Sequence, residues 1–151
     1  GACRHIDDER IPRIGVYLTF TSRGEWDIYG VAAAFDSRRF IKSPNLSEIE
    51  PKGYPYTALS ATGYGGILLV CDVNNIPLAY DLACPVEVNP NIRVYVDRDS
   101  WHAVCPVCHS EYDVFMNFGT AVGGIASERH YGLTRYKVGP GFGGEYMMIS
   151  N

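Results

Sequence analysis

The chain has 151 residues, 46% of them apolar and 20% charged, with a formal net charge of -4. That length supports one domain with a real core and is short for two, and the composition is that of an ordinary globular protein, without the signature of disorder or of a membrane span. The acidic balance argues against a nucleic-acid surface, which draws its affinity from clustered Lys and Arg.

Eleven Tyr, sixteen Gly and nine Pro favour strands and turns over long helices, so the expected class is mostly β. The opening "GAC" reads like the end of a bacterial lipoprotein signal, with Cys3 as the lipid-bearing residue. This implies a membrane tether in the cell envelope, periplasm or outer surface, where disulfides can form. Residues 1–13, including His5, then read as a polar N-terminal tether, and 14–151 as a single domain that begins with the strand "IGVYLTF" at 14–20. Residues 36–56 carry three prolines, mixed charge and no clear period, which predicts a long surface connection or docking segment.

From residue 57 the pattern sharpens. A Gly-rich turn leads to an apolar strand at 66–71, a turn at "DVNN" and a second strand at 76–82, a hairpin signature. "NIRVYVD" at 91–97 alternates with period two, and "SWHAVCP" at 100–106 follows a short charged turn as a second hairpin. "GLTRYKVG" at 132–139 offers one more strand, and the Gly-rich "GPGFGGEYMM" at 139–148 reads as a C-terminal turn and edge, because it lacks the Lys and Ser/Thr of a phosphate loop.

Five cysteines, at 3, 71, 84, 105 and 108, are not a dense disulfide framework. Cys71, in "GGILLVCDV", reads as a small buried hydrophobe. "CPVCH" at 105–109 has the spacing of covalent haem attachment, with Cys105 and Cys108 bound to the haem and His109 on the iron. It can equally be a redox dithiol, although no amphipathic helix follows to lower a thiol pKa. As half of a zinc knuckle it needs two further ligands. Cys84 is the one comparable thiol upstream, and Val88 stands where its partner was sought, which leaves His109 or His102 as the fourth ligand. His102 reads more simply as a surface or hydrogen-bonded strand residue, and His130 as part of a solvated loop.

The pairing of "CPV" at 84–86 with "CPVCHSEYD" at 105–113, each after a strand and twenty residues apart, resembles a Rieske domain. The resemblance covers about residues 57–138, with Gly124, Ile125 and Ala126 standing where the family has Gly-Pro-Ala. It implies a Rieske-like antiparallel β-sandwich with a small two-loop, cluster-binding-type subdomain at its tip, and a [2Fe-2S] cluster held by two cysteines and two histidines. Cys84 and Cys105 fall on the cysteine positions. Val86 and Cys108 fall on the histidine positions, with His109 displaced by one residue, so the standard ligand set cannot form. Tyr112 and Asp113 match the aromatic and acidic residues that support the second loop.

Three outcomes stay open within that resemblance: a [2Fe-2S] cluster on Cys84, Cys105, Cys108 and His109, a Zn²⁺ on the same four residues, or a metal-free shell with free thiols or a Cys84–Cys105 disulfide. The first hypothesis is a cell-envelope redox or metal-binding module, with a redox partner protein if it carries electrons. The second is a non-redox structural or binding lipoprotein, and haem at Cys105, Cys108 and His109 is a third. No nucleophile and base pair emerges, so the chain is not expected to be an enzyme by itself.

Overall fold

The computed structural model describes residues 5–42 and 49–151; Cys3, and with it the lipoprotein reading, lies outside the described residues, as do 43–48. Among the described residues eleven strands and two short helices make the chain mostly β. They run β1 (Val16–Phe20), α1 (Arg23–Tyr29), β2 (Ser37–Phe40), β3 (Ala61–Thr62), β4 (Ile67–Cys71), β5 (Pro77–Asp81), β6 (Tyr95–Val96), β7 (Ala103–Val104), β8 (Glu111–Asp113), β9 (Thr120–Gly123), α2 (Ile125–Glu128), β10 (Arg135–Gly139) and β11 (Met147–Ser150). Seven strands form one nearly closed antiparallel sheet in the order β2-β4-β5-β10-β11-β1-β3, and β6-β7-β8-β9 form a second, smaller one.

β4 explains how the two sheets share a chain. All five of its residues are buried, which is why it reads as an unbroken apolar run and not as an alternation. Ile67, Leu69 and Cys71 enter one core, with Phe20, Trp26, Phe40 and Tyr54. Leu68 and Val70 enter the other, with Tyr80, Leu82, Tyr112, Phe115 and the two cysteines Cys84 and Cys105. Successive side chains of a strand face opposite ways, so one strand serves both cores and the small sheet is packed against the large one. The β4–β5 hairpin is set in register from Ile67↔Asp81 to Cys71↔Pro77. Its turn is tied by Asp72, whose Oδ1 accepts the amides of Asn74 and Ile76 at 2.8 and 2.9 Å.

The expected strands at 14–20, 66–71, 76–82 and 132–139 are present as β1, β4, β5 and β10, and the second hairpin survives in shortened form as β6 and β7. Three segments differ from expectation. β2 lies inside the stretch read as a long surface connection or docking segment; "SRRF" is a polar edge strand paired to β4, with Phe40 alone fully buried. β11 is not an edge: it sits between β10 and β1, and Met148 and Ile149 are buried there. The segment read as a tether is packed down. Asp7 bridges to Tyr131, Ile11 is buried, and the Arg10 guanidinium lies 4.4 Å over the Tyr131 ring. An apolar Ile and a guanidinium with an aromatic partner gain more by covering the body than by staying in water. His5 itself is exposed. Among the described residues no helix is long and apolar enough to cross a membrane.

Candidate metal centre

Two loops at one end of the small sheet are built alike. After β5 the chain at Leu82–Cys84 pairs with Ile92–Val94 through the Val94 amide to the Leu82 carbonyl, at 2.8 Å, and the Cys84 amide to the Ile92 carbonyl, at 3.2 Å. The loop between begins with a turn in which the Val88 amide donates to the Cys84 carbonyl at 3.1 Å. After β7 the second loop repeats it, the His109 amide donating to the Cys105 carbonyl at 3.0 Å. Val88 and His109 both close their turns with positive φ, 51° and 61°. "CPVE" at 84–87 and "CPVC" at 105–108 are thus the same structural unit, occurring twice.

That equivalence decides which side chains meet. The third residue after each cysteine turns back toward it, so Glu87 joins Cys84, Cys105 and Cys108, and one ligand atom from each of the four lies within 4.8 Å of the others. The fourth group is therefore Glu87 and not His109 or His102, the residues the sequence suggests. His109 is the equivalent of Val88; it is exposed and outside this group. His102 is also outside it, its Nδ1 held 3.2 Å from Glu111 Oε1. The sequence signal for Glu87 was available in the tetrapeptide pair "CPVE" and "CPVC".

The surroundings hold the four in place. Cys84 and Cys105 are fully buried, while Cys108 and Glu87 are half-buried. Among the described residues Cys71, Cys84, Cys105 and Cys108 are free thiols. Cys84 Sγ stands 3.7 Å from Cys108 Sγ and 3.0 Å from the Tyr112 hydroxyl, and the Cys105 thiol donates to Glu87 Oε1 at 3.3 Å. Tyr112 thereby braces Cys84 from β8, where it pairs with Ala103 of β7. Arg10 pins the first loop by donating from Nε to the Pro85 carbonyl at 2.7 Å.

Burial, with the Glu87 carboxylate next, pushes the Cys84 thiol well above its ordinary range, and burial raises Cys105 too. Burial opposes ionisation of Glu87 as well, but the thiols of Cys84, Cys108 and Cys105 facing it outweigh that and hold its carboxyl below the usual range. The other carboxylate oxygen, Glu87 Oε2, is buried with no hydrogen-bond partner. An ionised oxygen shut from water and left without a donor is costly unless a cation meets it.

α2 braces the second loop. Ser110 is fully buried; its Oγ accepts from the Cys108 thiol at 3.2 Å and from the Ala126 amide at 3.1 Å. Gly124, at φ 78°, brings α2 this close, and a Cβ there would stand 2.9 Å from Ser110 Cα. A residue other than Gly pays for the left-handed backbone and must also displace Ser110. Gly124→Ala is therefore expected to destabilise the fold by about 1–3 kcal/mol and to weaken metal binding, measured by urea unfolding and by metal retention against a chelator.

No family model, curated protein or solved structure matches this chain.

Proposed function

We propose that the protein is a metal-binding module in which Cys84, Glu87, Cys105 and Cys108 hold a single zinc ion as a structural centre, on a Rieske-like fold whose cluster loops have been put to this use. The observation that carries this reading is the buried, partnerless Glu87 Oε2 in a closed group with three thiols. Thiolates and a carboxylate are zinc ligands, and four protein ligands make a closed, structural site. With Zn–S bonds of about 2.3 Å, tetrahedral ligand atoms stand about 3.8 Å apart, and the Cys84 to Cys108 sulfur separation is 3.7 Å. A two-iron cluster would need its ligand pairs spread around two metals, so the closeness of all four favours one ion over [2Fe-2S], and with it a structural over an electron-transfer role. The haem reading draws no support: Cys105 is fully buried and its sulfur faces Glu87 rather than an open face.

The fold assignment rests on two cysteine-bearing loops at one end of a small sheet packed on a larger one, the arrangement that the sequence resemblance implies. A lipid tether through Cys3 belongs to the same proposal and is checked by the mass of the N-terminal peptide from the native host. The metal-free reading would be favoured by oxidation to a disulfide, for which Cys105 and Cys108 both stand within 4.8 Å of Cys84, sulfur to sulfur.

The deciding experiment is zinc, iron and acid-labile sulfide per chain on protein purified without oxygen from its native host. One zinc without sulfide is the expected result; two irons with sulfide would replace the proposal with a cluster, and no metal with a mass two hydrogens short would replace it with a disulfide.

Proton competition gives a second check. Burial keeps Cys84 and Cys105 protonated at neutral pH before metal arrives, so binding must release at least those two protons. Zinc affinity is expected to rise with pH and to fall by about a hundredfold per unit as pH is lowered through the neutral range, read from competition with a chromophoric chelator.

A further inference from the structure

A cleft of about 720 Å³ separates the edge strand of each sheet, β2 on one side and β6 with its following turn on the other. That volume is within the range of small-ligand sites, roughly 300–1,000 Å³. Three arginines line it, Arg38, Arg39 and Arg98, against two acids, Asp36 and Glu50, so the cleft carries an excess of positive charge on a chain whose net charge is -4.

The internal commitments of these groups leave one arginine unpartnered and a second with an unmet donor. Asp36 accepts the amides of Ala32 and Ala33 at 3.1 and 3.0 Å. Arg38 is spent on the carbonyls of Gly30 and Ile28, at 3.3 and 3.4 Å. Arg39 is ion-paired with Glu50, whose Oε2 lies 3.8 Å from its Nε, but at that distance no hydrogen bond forms and the buried Nε has no acceptor. Arg98 makes no hydrogen bond or ion pair among the described residues. A buried guanidinium donor left unmet is a cost that an incoming acceptor removes.

The wall beside these arginines is aromatic. Trp101 is 38% exposed and its ring lies 5.0 Å from that of Phe35, both lining the cleft. An aromatic surface beside the unpartnered Arg98 and the unmet Arg39 Nε suits a ligand with a ring at one end and a carboxylate or phosphate at the other. We infer that this cleft binds a small ring-bearing organic anion, its acidic group meeting Arg39 and Arg98 and its ring covering Trp101. Nothing in this depends on the metal centre.

The chain has two tryptophans, and the other, Trp26, is buried in the far core against Phe20, so a change in emission on binding reports Trp101. Titrating the metal-loaded protein with phenyl phosphate and with benzoate, followed by emission and by heat, is expected to give saturable binding of at least one. Arg98→Glu, at an exposed residue, is expected to leave the melting midpoint unchanged and to weaken that binding about tenfold or more, with Arg98→Lys recovering part of it. Absence of saturable binding of either anion would overturn the inference, as would equal binding of benzyl alcohol, which has the ring without the charge. Inorganic phosphate binding as tightly as phenyl phosphate would overturn the assignment of Trp101, and unchanged affinity in Arg98→Glu the assignment of the arginines.

Discussion

Glu87→Gln is expected to lower zinc affinity by more than a hundredfold, whereas His109→Ala leaves it unchanged. Loss of a residue that only orients a ligand costs about 10–100-fold, so removing a ligand charge from a four-donor site should exceed that. The amide keeps the size of the side chain and one acceptor oxygen, but it removes the negative charge and places an NH₂ where Glu87 Oε2 now stands without a partner. The two forms of the protein should respond in opposite ways. With zinc the variant loses the stabilisation that binding confers, which grows with the ratio of free metal to dissociation constant. Without zinc it should be at least as stable as the parent, because a half-buried carboxylate with one unmet oxygen is itself unfavourable. Melting midpoints of the zinc-loaded and chelated proteins test both statements. Tight zinc retained by Glu87→Gln, or lost by His109→Ala, would return the fourth place to the histidine. Cys108→Ser serves as the reference, expected to lose metal whichever residue is fourth.

The choice between Glu87 and His109 also marks where sequence reasoning stopped. "CPVCH" draws attention to the histidine because it is adjacent to two cysteines and is a familiar ligand. Adjacency in sequence puts it at the residue that closes the turn, with φ at 61° and its side chain exposed. What the turn selects is the residue three beyond the cysteine, where a lone carboxylate after a single cysteine carries no familiar ligand spacing. Cys84, Cys105 and Cys108 were legible as a group because the family resemblance placed their two loops side by side. Spacing within the chain could not have done so, since twenty residues lie between Cys84 and Cys105 and only the β6–β7 pairing folds that interval back.

The strands divide along similar lines. β4 and β5 were legible because an apolar run, an Asp-tied turn and a second run are adjacent in sequence. β2 was not: Ser37, Arg38 and Arg39 are half or fully exposed on an edge, where composition is free, and its one strong signal is Phe40. β11 escaped because its place between β10 and β1 is a long-range pairing, Phe20↔Met147 to Tyr17↔Ser150 on one side, invisible in a Gly-rich C-terminal segment. Ile11 and Arg10 carry no local pattern that separates a packed segment from a tether; their partners, the core and Tyr131, are distant in sequence.

Asp81 carries the second large expected effect, because it joins the fold to the first cysteine loop. This residue ends β5 and is fully buried. Its Oδ1 accepts the amides of Gly65 and Ala83 at 3.0 and 2.8 Å, and its Oδ2 accepts the Tyr64 amide at 2.9 Å and the Tyr136 hydroxyl at 2.6 Å. Four donors converge on one carboxylate. It fastens the Gly-rich turn before β4 to the residue before Cys84, and Tyr64 reaches on to the first loop through its hydroxyl, which donates to the Val88 carbonyl at 3.0 Å. In Asp81→Asn one of the two oxygens becomes an NH₂, and either orientation sets a donor against two donors. Each buried donor left unmet costs about 1–3 kcal/mol, so the variant is expected to lose about 3 kcal/mol or more of stability. Tyr136→Phe, which removes one donor and leaves the carboxylate three, should cost about 1 kcal/mol. Urea unfolding of the zinc-loaded proteins measures both, with unchanged denaturant slope as the condition for comparing midpoints. The Asn variant should also release zinc faster than the Phe variant, because the same carboxylate holds Ala83, the neighbour of Cys84, through its amide. A loss within about 0.5 kcal/mol in Asp81→Asn, the range of an ordinary surface change, would mean that the turn and the loop are held by packing and not by this acceptor.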